Sequence, residues 1–115
     1  MDIDAFFYLD LVRKIALTLP SVEEYTCFGT PAFRVKKKLL ARMKEDGKTL
    51  AVHAEEREIW MRKDQVIFFI TDHYKNSALV LVNLMAVKKD DLKLIIEEAW
   101  KQIVPKRMLK EFEKE

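Results

Sequence analysis

The chain has 115 residues, half of them hydrophobic and 35% charged, a balance that excludes a disordered or fibrous protein and allows one packed core. Twenty-one Lys and Arg against 19 Asp and Glu leave a net charge of +2, so binding to nucleic acid or anionic lipid would need unevenly placed charge. A single cysteine, Cys27, and two glycines, Gly29 and Gly47, exclude an internal disulfide, a cysteine zinc cluster and a glycine-rich phosphate loop.

The chain begins MDIDAFFYLD, acidic where a secretory signal is basic, and its apolar runs VIFFI and ALVLV are too short to span a bilayer. A cytoplasmic protein is expected, one domain over residues 1–115. Ala5, Tyr8, Leu9, Val12, Ile15, Ala16 and Leu19 follow helical spacing, which predicts an amphipathic helix with Asp2 or Asp4 as its cap and Pro20 as its stop. SVEEYTCFGT has no clear period and reads as a connection with at most a short strand.

Three strands are predicted next, at 32–36, 39–44 and 49–54. Alternation favours Val35 opposite Leu39 across a three-residue turn, Lys36 to Lys38, with Phe33, Val35, Leu39, Ala41 and Met43 on the buried side. A two-residue turn is set aside because it mixes the faces. EDGK closes the second hairpin, Gly47 supplying a positive φ, and Leu50, Val52 and Ala54 join the core side. Residues 55–64 read as a short helix, VIFFI and SALVLVNL as two further strands, and TDHYKN as the turn between them. A long helix follows on Leu92, Ile95, Ile96, Ala99, Trp100 and Ile103, with Asp90 and Asp91 at its positive end, and past Pro105 a short one docks Met108, Leu109 and Phe112. Trp60 and Trp100 read as core anchors.

The order α-β-β-β-α-β-β-α argues for a two-layer α+β fold, an antiparallel sheet with helices on one face. LVLV and VIFFI are apolar on both faces, so either those strands are covered on both sides within the chain or a second copy completes the sheet as a homodimer, and the pattern leaves both open.

Candidate chemistry concentrates in one hairpin. Gly29 to Lys48 carries seven Lys and Arg against two acids, a net +5, while the remainder is −3. In the favoured register Arg34, Lys36, Leu40, Arg42 and Lys44 face outward, with Lys37 and Lys38 at the tip and His53 opposite Leu40. A ribbon with cations on one face can lie along duplex phosphates, whereas lysines on hairpins also serve simply to keep sheet edges apart. His73 and Tyr74, near Asp72 and Ser77, can be imagined as a base with an orienting acid, but neighbours in sequence rarely face one another, and neither His53 nor His73 has a second metal ligand at helical spacing. No enzyme activity, cofactor or metal is expected.

GTPAFRVKKKLLARMKEDG, FFITDHYKNSALVLVNL and LIIEEAWKQIVPKRM together resemble the signature blocks of the MmcQ/YjbR family, the most specific residues being Thr30, Pro31, Phe33, Lys38, Ala41 and Arg42, then Thr71, His73 and Tyr74, then Ala99, Trp100, Pro105 and Lys106. The resemblance implies a fold similar to secretion-chaperone and frataxin-like proteins, and a double-wing DNA-binding role with no agreed catalytic residues. Lys37 stands where the family often has glycine. The expectation is a protein that binds double-stranded DNA with little sequence preference through Arg34, Lys36, Lys37, Lys38, Arg42 and Lys44; the alternative is a protein-interaction or homodimerisation module built on 66–70 and 79–84.

Overall fold

Antiparallel hairpins account for most of the sheet. In the computed structural model, which describes residues 3–114, the order is α1 (Ile3–Ala16), β1 (Val22–Cys27), β2 (Thr30–Val35), β3 (Lys38–Met43), β4 (Thr49–His53), α2 (Arg57–Lys63), β5 (Phe68–Phe69), β6 (Leu79–Asn83), α3 (Lys89–Ile103) and α4 (Lys106–Glu113). The six strands lie in the order β1-β2-β3-β4-β6-β5, every pair antiparallel. The expected α+β architecture with helices on one face is present.

One face of the sheet meets the helices because its apolar residues alternate correctly. Phe33, Val35, Ala41, Met43, Leu50, Val52, Val80 and Val82 share one core with Leu9 and Val12 of α1 and Leu92, Ile95, Ile96 and Ala99 of α3. Trp100 is fully buried, and its indole N–H donates to the Pro20 carbonyl at 2.9 Å, which ties the end of α3 to the turn that follows α1. Trp60 lies against Phe68 and donates to Glu98 at 3.2 Å. Met108, Leu109 and Phe112 of α4 dock on the core, Phe112 against Trp100. Asp4 sits within the first turn of α1 and not at its cap; Asp2 lies outside the described residues.

Three expectations are corrected. First, the segment that reads as a connection with room for a short strand forms β1, a full six-residue edge strand. Its period is disguised by Glu24, a charge on the helix-covered side, whose carboxylate receives Arg13 of α1 through Nε at 2.7 Å and Nη2 at 2.8 Å. An inward charge on an edge strand also discourages pairing with another sheet. Second, only Phe68 and Phe69 of VIFFI form a strand. Asp64 Oδ1 accepts the N–H groups of Val66 and Ile67, turning the chain beyond α2 and leaving Val66 exposed.

The third correction concerns the basic hairpin. Phe33 faces Ala41 as expected, but Arg34 faces Leu39 and Val35 faces Lys38, so Leu40 is an extra, unpaired residue. A β-bulge therefore joins two registers, and the turn is the two-residue one, Lys36 and Lys37, with Lys36 in left-handed backbone at φ +57. The bulge exchanges the two leucines: Leu40 is fully buried in the core, while the half-buried Leu39 turns to the opposite face. At the next hairpin Gly47 takes φ +71, and an added Cβ there would lie 2.6 Å from that of Ala5. Glycine is required by both backbone and space.

Candidate functional site

The face turned away from the helices has a different logic. Tyr25, Ala32, Arg42, Ala51, Leu81 and Phe69 form one row across all six strands. Its apolar half is covered from within the chain: Tyr74, on the 3-10 turn Asp72–Tyr74, packs with Ala51 and Leu81, joined by Phe69, Ile70 and Leu79. The double apolarity of LVLV thus has an intramolecular cause. Arg57 holds this cover in place, its Nη1 donating to the carbonyls of Tyr74, Ser77 and Leu79 and its Nη2 to that of Lys75, at 2.7–2.9 Å. Sequence reasoning missed Arg57, because its partners are carbonyls about twenty residues away.

The six predicted contact residues divide into two groups. Arg34 and Arg42 stand on the open face, as expected, but their charges are engaged. Arg34 donates through Nε to Glu23, directly across the β1–β2 ladder, at 2.7 Å, and stacks on the Tyr25 ring at 4.1 Å. Arg42 is buried; its Nε donates to the Cys27 carbonyl at 3.0 Å and its Nη2 to Glu45 at 2.5 Å. Lys44 donates to the Tyr74 hydroxyl at 2.5 Å and approaches Glu45 at 3.6 Å. Lys36, Lys37 and Lys38 form the second group: all three are exposed, and none has an ion-pair partner among the described residues.

These neighbours shift several ionisable groups. Burial, with the Cys27 side chain as hydrogen-bond and charge neighbour, pushes the Tyr25 phenol up, against the opposing pull of Arg34 and Arg42. Glu45 is held below the ordinary carboxylate range by a backbone hydrogen bond and then by Arg42. Asp46 loses solvation in its turn, but the N–H of Lys48 and the hydroxyl and N–H of Thr49 outweigh that loss and lower its pKa.

The hairpin tip meets the end of α3. Lys38 and Leu39 border a shallow hollow with Gln102 and Ile103, and from there the chain turns through Val104 and Pro105 into α4. Lys101 in the last turn of α3, and Lys106 and Arg107 at the start of α4, are exposed and likewise have no ion-pair partner among the described residues. Six exposed cations without an ion-pair partner among the described residues therefore lie on the hairpin tip and around the α3–α4 junction and not along the ribbon, while others, among them Lys75, Lys88, Lys89 and Lys93, lie elsewhere on the surface. His53 also borders this hollow, its Nε2 lying 3.4 Å from Glu55.

His73 is exposed and makes an edge-on contact with Tyr74, the ring centroids 5.0 Å apart. The Ser77 hydroxyl donates to the Tyr74 carbonyl, a bond that holds the backbone of this turn. Among the described residues, no three His, Cys, Asp or Glu side chains converge on a position that could hold a metal, and no helix is long and apolar enough to cross a membrane.

The fold and its two kinds of basic residue define a small α+β protein with one helix-covered and one half-open sheet face. A family model described as YjbR matches residues 17–102, and the chain belongs to the YjbR family. No curated protein and no solved structure gives a significant match.

Proposed function

We propose that this is a non-enzymatic double-stranded DNA-binding protein that grips the phosphate backbone with the β2–β3 tip and the adjoining end of α3 and α4. The observation that carries the reading is the contrast among the six hairpin cations: Lys36, Lys37 and Lys38 are exposed without acidic partners among the described residues, whereas Arg34, Arg42 and Lys44 are bound to Glu23, Glu45 and Tyr74. Membership of the YjbR family is compatible with this role. The contact surface is accordingly narrower than a whole ribbon face, and Arg34, Arg42 and Lys44 serve to shape the hairpin. Lysines that hold phosphates carry little base information, so sequence preference is weak.

Fluorescence anisotropy with a duplex of arbitrary sequence tests this. Three phosphate contacts give a slope of log affinity against log salt of roughly −3, steeper if Lys101, Lys106 and Arg107 join. The triple variant K36E/K37E/K38E is expected to lose binding at least tenfold, while Arg34→Ala leaves it nearly unchanged. Unaltered affinity in the triple variant overturns the proposal, and salt-resistant self-association by light scattering would favour an interaction module instead.

A further inference from the structure

One residue on the open face has a backbone cost that its own packing does not offset. Phe28 occupies the two-residue β1–β2 turn with φ +51, followed by Gly29 at φ +81, and is 87% exposed. Left-handed backbone is unfavourable for a residue with a Cβ, and turns of this kind favour asparagine or glycine at the first position. The Phe28 ring lies 5.4 Å from the guanidinium carbon of Arg42, a side chain nine-tenths removed from solvent. Strained backbone and an exposed aromatic ring beside a buried charge are features that collect at binding sites.

Phe28 borders a half-enclosed hollow of about 440 Å³ that runs over the open face to Leu39, Leu79 and Tyr74, with Ala51 in its lining. Arg42, Lys44, Glu45 and His73 also line the hollow, and counting Lys, Arg, Asp and Glu alone two cations meet one carboxylate, leaving one positive charge. Each cation keeps donors in reserve. Arg42 uses Nε and Nη2 on protein partners and leaves Nη1 without one among the described residues, while Lys44 gives one of its three N–H groups to Tyr74.

We propose that this hollow binds a small organic monoanion with a flat apolar body, of the aromatic carboxylate class. The carboxylate meets Arg42 and Lys44, and the ring lies between Phe28 and the Leu39 and Leu79 side chains. The volume falls in the range of small-molecule sites, apolar walls with a few convergent polar groups are their usual lining, and a single net charge suits a carboxylate better than a multiply charged phosphate. This proposal does not depend on DNA binding, because none of the tip lysines takes part.

The test is a two-dimensional NMR titration of the full chain with naphthoate, and in parallel with the neutral naphthamide. Saturable shifts are expected at Phe28, Leu39, Tyr74 and Leu79, with naphthamide at least tenfold weaker. Lys44→Met should weaken naphthoate about tenfold, and Phe28→Ala should weaken both probes while leaving the remaining spectrum unchanged. The K36E/K37E/K38E variant should bind naphthoate as the parent does, which separates this result from the fate of the DNA reading. Equal affinity for the two probes, shifts at other residues, no shifts at all, or indifference to Lys44→Met would each overturn it. So would shifts of these residues that grow with protein concentration alone, which would make the face an interface between copies.

Discussion

Phe33 and Phe28 belong to neighbouring parts of one β-meander, yet they show how differently the two faces of the sheet use apolar surface. Phe33 is fully buried against the helices in ordinary strand geometry, whereas Phe28 is 87% exposed in left-handed backbone. The covered face spends its hydrophobic residues on stability; the open face keeps part of its own in contact with solvent beside Arg42. Residues on the first face should therefore be costly to change and those at the edge of the second nearly free, unless they hold the loop that covers it.

The largest effect falls on the covered face. Phe33→Ala removes a fully buried ring and should destabilise by about 3–5 kcal/mol, read from urea unfolding. Phe28→Asn should do the reverse, leaving stability unchanged or higher by up to about 1 kcal/mol, because asparagine tolerates the left-handed conformation. A large loss of stability in Phe28→Asn would break the comparison by making that ring part of the core.

Arg57 lies between these extremes. Its guanidinium gathers four carbonyls of residues 74–79 and keeps Tyr74 over the open face. Arg57→Ala should cost about 2 kcal/mol, the range of hydrogen bonds made by a charged donor, or roughly 6–10 °C in Tm. Hydrogen exchange should speed up in residues 72–79 first, while α3 stays protected. Uniform loss of protection would mean that the loop and the core unfold as one, and that the open face has no separate cover.

How far the sequence carried follows from the same contrast. Helix periods and the alternation of Phe33 with Val35, or Leu50 with Val52, depend on burial and were legible. The Leu39–Leu40 exchange was not, since two adjacent leucines give no sign of which one a bulge turns inward, and both the three-residue register and the two-residue turn describe part of the hairpin. β1 was hidden because Glu24 faces inward to meet Arg13, a pairing of two segments that no local pattern reveals. For the candidate site, the concentration of positive charge was visible, but its division was not. Glu23 and Glu45 each neutralise an arginine only because the ladder and the turn bring them there. The hollow at Phe28 depends on the same long-range register, and a phenylalanine before a glycine reads as an ordinary turn edge.

The smallest expected effect concerns the turn that joins the basic hairpin to β4. Asp46 accepts three hydrogen bonds from Lys48 and Thr49, and its pKa is depressed in the folded state. At neutral pH the carboxylate is ionised both folded and unfolded, so its stabilisation is fully present. As pH falls through the ordinary aspartate value of about 4, the unfolded chain takes up its proton first, and the contribution shrinks until the folded carboxyl is protonated as well. Asp46→Asn keeps the shape and one acceptor but does not titrate. The parent should thus exceed it in stability near pH 7 by less than about 1 kcal/mol, as suits an exposed carboxylate, and the gap should close as pH falls below the ordinary aspartate value. Thermal melts of both proteins across that range measure the gap. A difference that stays constant with pH would assign the role of Asp46 to turn geometry alone, and the charge on this hairpin would then matter to the fold only through the two arginines paired with Glu23 and Glu45.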